Sequence, residues 1–465
     1  MGSFDGLYIG LSALRAQQTV LSVISNNTAN VDTTGYSDET ATLAALPSAA
    51  DGGVAAVGAG VDVEAVRRST SAILNQEISQ ETSVDGQWDT MQSGSDQIQQ
   101  LFNATTSSGI LDDLDNFWSS WQTLSDDPTN TASRTSVVQA GDELTADFNQ
   151  TATSLNDNVA TLNDQLSTEV QSLNQYAGQI SAINQQVMNA EASGNPANQL
   201  LDERDTLVQE ISQIAQVQTA QNADGSLTVS LGGHLLVSGT GASQINVGQD
   251  VSGNPQPVWA DDNTTVNVSS GQLAATQNLR DWVQGTVLPQ LNQVASEVIT
   301  QVNTLQESGY DANGDQGGAF FTGTDASTIA TSSTVEANPE TVATSSSADE
   351  PGDGSVALAI AELQEQTLND PTNGFVDESI DGAYTTLVGN VGLMAQKSST
   401  MATQQDQLMS YLNDQQQEVA GVSLDEQSTQ MLATQEAYEA ASRVITTVND
   451  MLDVLINGTG ADSSS

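Results

Sequence analysis

The chain has 465 residues, with 59 acidic side chains against 8 basic ones and a formal net charge of −51. Phosphate contacts need clustered Lys and Arg, so nucleic acid is excluded as a partner, and an anionic membrane surface with it. A single histidine and no cysteine exclude multi-histidine metal sites, disulfides and thiol chemistry.

No apolar run reaches the length of a membrane span. The opening MGSFDGLYIG has no basic stretch and carries Asp5, so no cleaved Sec-type signal peptide is expected. Apolar content is 37% and aromatic content 4%, too polar for a dense enzyme core throughout and suited to thin helical rods. A surface this acidic keeps a chain dissolved in concentrated salt and makes its copies repel in dilute salt.

In chain order, residues 6–31 form an amphipathic helix. Leu7, Leu14 and Leu21 are seven apart, and Leu11 and Ile24 widen the stripe. The run SNNTANVDTTGYS follows. Its Asn and Gly residues favour turns, so the helix stops near 29–31. Residues 37–71 are mixed, with one short extended segment over Val61, Val63 and Ala65. Helical periodicity returns from Ser71. The 111–124 stretch places Phe117, Trp118 and Trp121 at helical spacing, and Asp126-Asp127-Pro128 breaks it.

Two interlocked heptad rows then run from Phe148 to Val187, with Glu169 as the one break, and predict a coiled-coil-like helix of about 60 Å. Gly194-Asn195-Pro196 ends it, and 200–214 starts another helix. From 217 to 275 the period switches to two, in short runs separated by Gly, Asn and Pro: a small β domain of hairpins. Helix resumes over 279–305. Residues 309–350 are loop-like, 357–365 form a short helix, and 384–419 a long one with Leu387, Met394, Met401 and Leu408 in one heptad row.

The last helix, 423–456, carries an a/d seam. Leu424, Met431, Tyr438, Ile445 and Leu452 recur every seven residues, and Thr434, Ala441, Val448 and Leu455 follow the last four by three. Ser423 with Glu426 forms a capping box at its start, and Gly458 and Gly460 end it. One apolar stripe at each end of the chain predicts that the ends meet.

The stretch SNNTANVDTTGYS resembles the "SNNIAN…N-T-x-GYS" motif of the axial proteins of the bacterial flagellum. GVSLDEQ…ATQEAYEAASRVITTVNDMLDVLIN, Leu200-Leu201-Asp202-Glu203-Arg204-Asp205 and SGYDANGDQGGAFF are similar to the corresponding parts of the hook-associated protein 1 family within that group. Thr28 stands where that family usually has Ile, which trims a methyl expected to be buried. The resemblance implies a structural role at the junction of hook and filament and no enzymatic activity. It implies export by the flagellar type III apparatus, an export chaperone on the C-terminal helix, and an extracellular place on the flagellum. Its implied partners are a ring of identical subunits, the hook protein and a second hook-associated junction protein. The assembly interface it implies comprises Leu7, Leu11, Leu14, Leu21, Ile24, Asn26, Asn27, Asn30, Gly35 and Tyr36 with Leu424, Met431, Tyr438, Ile445, Val448, Leu452 and Leu455. Alternatives are a hook or filament subunit, or a secreted adhesive protein using the β domain.

The expected fold is mainly α with a small β domain, in elongated stacked domains. Residues 1–70 with 421–465 make a terminal coiled-coil domain. Residues 71–216, 276–310 and 353–420 make a helical-bundle rod. Residues 217–275 are an outer β domain, and 311–352 a loop-rich connection. No cofactor or metal is expected. Asp311, Asn313 and Asp315 match half of an EF-hand loop, but Gln316 and Thr322 occupy the positions that need Gly and Glu, so a turn is the better reading. His234 reads as a hairpin histidine, Trp118, Trp121 and Trp282 as core, and Arg67-Arg68 as a pair that is either solvated or matched to carboxylates.

Overall fold

The computed structural model describes residues 3–47, 58–103, 109–370 and 375–458. Helix α1 (Ser3–Ala29) leads into an antiparallel hairpin of β1 (Glu39–Ala45) and β2 (Val61–Arg68). The expected single extended segment is β2. Its partner ETATLAA has too little apolar alternation to announce a strand.

The rod follows. Helix α2 (Ala72–Asn103) precedes α3 (Ile110–Asp126) and α4 (Thr131–Ala192). Helix α4 has 62 residues, about 90 Å at 1.5 Å per residue, and begins 17 positions before Phe148. The Asn130 side chain caps it, accepting from Ala132 N and Ser133 N at 2.9 and 3.3 Å. Helix α5 (Asn198–Ile214) returns along its far end.

The β region consists of β3 (Val217–Gln221), β4 (Leu227–Leu231), β5 (His234–Ser238) and β6 (Gly241–Ala242) in one four-stranded sheet. Strands β7 (Ile245–Gln249) and β8 (Pro255–Trp259) form a separate pair. Its buried residues, among them Val229, Leu231, Val237 and Trp259, share one core with Leu173, Ile180 and Val187 of α4 and with Ile211 of α5. The β region is therefore built onto the distal half of the long helix.

Helix α6 (Gln272–Trp282) starts seven residues before the expected 279. It runs through one wide π-helical turn, Val283–Val287, into α7 (Leu288–Ser308). Residues 309–350 contain β9 (Phe321–Thr322), β10 (Ala330–Thr331) and α8 (Ser333–Ala337). They have little regular structure, yet they are packed: Phe320, Phe321, Ile329 and Val342 are buried in the rod core. The fully buried Arg134 pins them. It donates to the carbonyls of Pro128 and Val342 and to Thr344 Oγ1. The Asp311 loop is a turn: its Oδ1 accepts the backbone N–H of Asn313 and Asp315 at 2.8 and 2.9 Å. Trp118 and Trp121 are core, and Trp118 Nε1 donates to Asp381 Oδ1 at 3.1 Å.

After α9 (Ser355–Ala361) and the strands β11 (Leu368–Asp370) and β12 (Phe375–Glu378), helix α10 (Ile380–Ala420) runs back along α2, and α11 (Leu424–Gly458) back along α1. The chain thus goes out and returns beside itself. Along α10 the seven-residue row rotates off the contact. Leu387 is buried, Met394 and Met401 are half-buried, and Leu408 is exposed, while Val391, Ala395, Ala402 and Leu412 take over the seam. A straight helix of 3.6 residues per turn drifts by about 20° per heptad, which accounts for this. Gly460 lies outside the described residues. No helix among the described residues is long and apolar enough to cross a membrane.

Candidate assembly site at the paired termini

Helices α1 and α11 pack antiparallel. The closest approach is made by glycines, not by leucines. A methyl group added at Gly10 would lie 2.7 Å from Ile445 Cγ1, and one at Gly6 would lie 3.2 Å from Val448 Cγ2. The GxxxG spacing of residues 6 and 10 puts both on one face one turn apart, and this is the signal the leucine pattern hid. Met431, Tyr438, Ile445, Val448 and Leu452 are half-buried along the seam, as are Leu7, Leu14 and Leu21, and Ile24 is buried. Three expected interface residues lie outside this pairing: Leu11, Leu424 and Leu455 are exposed, at 37%, 49% and 55%. Leu424 and Leu455 are near the two ends of α11, where the seam runs out. Leu11 is beside Gly10 and points off the contact.

At the base of the pair lies a polar knot. Asn27, 1% exposed, donates through Nδ2 to Asp38 Oδ1 (2.8 Å) and to the Glu39 carbonyl (2.9 Å). Its Oδ1 accepts from the Tyr36 hydroxyl (2.7 Å) and Glu39 N (3.1 Å). The buried Gln427 of α11 donates to Asp38 Oδ1 at 2.9 Å and faces Asn27 across 3.3 Å. Gln427 occupies the one d position of the seam that is not apolar or small. A buried amide there fixes the register between α1 and α11. Backbone joins in: Asp38 N donates to the Ala420 carbonyl at the bend before α11 (2.8 Å). Burial pushes the Asp38 carboxyl above its ordinary range, with Glu426 and Glu39 adding to it. Burial also pushes the Tyr36 phenol far up, with Glu39, Asp202 and Asp38 adding to it, so it stays a donor.

Other members of the motif have local tasks. Asn26 is exposed, and Asn30 Nδ2 donates to Asn26 Oδ1 (2.9 Å) and to the Asn26 carbonyl, closing the end of α1. Thr28 is exposed and donates to the Ile24 carbonyl, so no buried methyl is missing there. Gly35 has φ +81° and lies against Thr206 of α5, where an added Cβ would come within 2.6 Å of the hydroxyl oxygen.

A second knot ties this base to the rod. Asp202 accepts from Ser37 Oγ (2.8 Å) and from Arg68 Nη1 (2.6 Å), and Arg68 also reaches Asp205 Oδ2 (3.0 Å). Arg204, 2% exposed, faces the other way and donates to the Gly225 carbonyl and Asn184 Oδ1. The Leu200–Asp205 run is thus a clamp with two jaws, one on the terminal domain and one on the β region. Arg68 was missed as a site residue. It is matched to carboxylates, while Arg67 is exposed and has no ion pair among the described residues. With so few basic side chains in the chain, a half-buried one is rarely idle.

Replacing Asn27 with Ala is expected to strand the Tyr36 hydroxyl, Glu39 N and the Gln427 Oε1 together. The opening free energy of the terminal pair should fall by about 2 kcal/mol. Amide exchange would show it as lost protection in α11 with α4 unchanged. Unchanged protection in α11 would mean that the knot does not hold the pair.

With this geometry in place, comparison with known proteins adds three family profiles in chain order. They are "Flagella basal body rod protein" over 7–36, "Flagellar hook-associated protein FlgK helical domain" over 95–321, and "Flagellar basal body rod FlgEFG protein C-terminal" over 413–458. The outer two cover α1 with its turn, and α11. Flagellar hook-associated protein 1 of Bacillus subtilis is 26% identical over 505 residues, covering 98% of this chain and 99% of that protein. The Escherichia coli protein of the same name is 25% identical, covering 96% and 98%. The solved structure of the flagellar hook junction protein FlgK from Burkholderia pseudomallei has the same fold. Its TM-score is 0.63 at 16% identity, over 74% of this chain and 100% of that one.

Proposed function

We infer from two premises, that the chain belongs to the family of flagellar hook-associated protein 1 and that its own two ends close into one helical pair, how this structural protein of the hook–filament junction is built into the flagellum. The family is structural and not enzymatic, and its members are parts of the motility organelle. Our reading assigns the pair α1–α11 to contacts between identical subunits in a ring. The rod forms the next layer, and the β region lies outermost. The hook protein is the neighbour on one side, and a second hook-associated junction protein on the other.

One observation carries this reading. After the two helices have packed, Tyr8 is still 67% exposed, Leu432 65%, Val454 71% and Ile456 68%. Several such side chains along one helical pair are unfinished burial. Further copies would complete it, at about 25 cal/mol per Å² of apolar surface removed from water.

The same exposed side chains favour a chaperone on α11 before assembly. They also favour passage through the flagellar type III apparatus without signal cleavage, to a final place outside the cell.

Immunogold labelling of isolated flagella tests the assignment. A single narrow band where hook meets filament is expected. Label along the whole filament would make this a filament subunit. An unlabelled organelle would sink the junction reading and turn attention to the β region as an adhesive module.

A further inference from the structure

The sole histidine of the chain and two carboxylates meet on the surface of the β region. His234 opens β5, directly after the turn Gly232–Gly233, whose φ values of +59° and +87° only glycine takes without strain. Asp261 and Asp262 follow β8, the strand of the other sheet. One ligand atom from each of the three residues lies within 4.8 Å of the others.

His234 and Asp262 are each held in place by groups that leave a ligand atom available, and Asp261 lies beside them on the exposed loop. The imidazole stacks on the buried Trp259, ring centroids 4.1 Å apart and 19° from parallel. Its Nδ1 is 3.4 Å from the Leu235 carbonyl oxygen. That contact suits the Nδ1–H tautomer and leaves the Nε2 lone pair on the side of Asp261, the second-shell arrangement that orients metal-binding histidines. Asp262 Oδ1 accepts from Thr264 N (2.8 Å) and Thr264 Oγ1 (2.6 Å), which fixes the carboxylate and leaves its second oxygen. His234 Nε2 and Asp261 Oδ2 are 3.5 Å apart. This is too long for a tight charge-assisted hydrogen bond, which spans about 2.7–2.9 Å. It is close to the separation of about 3.3 Å between two ligands on one tetrahedral ion bound at about 2.0–2.1 Å.

We propose that His234, Asp261 and Asp262 bind a divalent transition-metal ion of the zinc, nickel or copper class. One imidazole nitrogen and two carboxylate oxygens make a donor set that these ions accept and that calcium and magnesium, which take oxygen alone, do not prefer. Two carboxylates also match the ion's charge. The bound ion links the four-stranded sheet, through His234, to the loop that leaves the two-stranded one. The site owes nothing to the reading of the terminal pair.

Isothermal titration of zinc chloride into the full chain tests it, in excess calcium to fill the diffuse carboxylate atmosphere. One ion per chain is expected, at least tenfold weaker in both His234→Ala and Asp262→Asn. The Asn variant keeps the acceptor for Thr264, so it retains the turn, and far-ultraviolet circular dichroism checks that both variants fold. Amides around 233–236 and 260–264 should gain exchange protection with zinc. An isotherm identical in His234→Ala and the parent chain, or no zinc binding above the calcium background, would overturn the proposal.

Discussion

A chain ended at Val422 is expected to keep its rod and β region folded and to be absent from flagella. Helix α11 contributes nothing to the two large cores. These are made by α2, α3, α4, α6, α7, α9 and the start of α10 with the 309–350 segment, and by the far half of α4 with α5 and the β strands. Among the described side chains of α11, Gln427, Thr434 and Ala441 alone are buried. The main unfolding transition should therefore be unmoved. Helix content should fall by the 35 residues of α11, and by those of α1 as well, since α1 loses the helix that covers Gly6, Gly10 and Asn27. Isolated amphipathic helices are marginal in water, so α1 without its partner frays. Circular dichroism with thermal melting checks the first half, and blotting of purified flagella the second. Normal incorporation of the truncated chain would remove the terminal pair from the assembly mechanism.

Glu169→Gln is expected to make the rod more stable at pH 8 by about 3 kcal/mol and to change little at pH 4. Glu169 interrupts an apolar heptad row of α4 and is 6% exposed. Its Oε1 accepts from Thr276 Oγ1 (2.8 Å) and Gln165 Nε2 (3.0 Å), while the buried Oε2 has no partner. Burial pushes its pKa up from 4.5 to about 7, against the pull of those two hydrogen bonds. The folded chain therefore holds this proton more tightly than the unfolded chain. The stability this confers is complete below about pH 4.5 and is lost as pH rises through about 7. Glutamine is neutral at every pH and keeps the Oε1 acceptor. Urea unfolding of both chains at pH 4, 6 and 8 isolates the effect, because the many other carboxylates cancel in the difference. Parallel stability curves would show that Glu169 is ionised and solvated after all.

Much of this molecule was legible in its sequence. Heptad rows announced α1, α4, α10 and α11, and a change to period two announced the β strands. Gly194-Asn195-Pro196 and Asp126-Asp127-Pro128 marked breaks that the structure keeps. These signals are local: helix and strand are set by which neighbouring side chains share a face, and that is written in spacing alone. The start of α4 is hard to read because 131–147 carries only one short apolar row, Val137 and Leu144, and its other buried positions include Arg134, Gly141 and Thr145, which break the pattern. The 309–350 segment looked like a loop because its order comes from Arg134 and from aromatic side chains inserted into the rod, not from a repeat.

The candidate site divides in the same way. Its apolar stripes were visible. The meeting of Asn27 with Gln427, 400 residues later, was not, nor was that of Arg68 with Asp202 and Asp205. Gly6 and Gly10 carry no hydrophobic signal at all, although they set the distance between the helices. Sequence by itself determined the helical class of this chain and its two sticky ends. Tertiary structure alone decided which polar residues are buried and what they hold. Burial of a polar group is tolerated only where partners arrive from elsewhere in the chain, and no local pattern says who arrives.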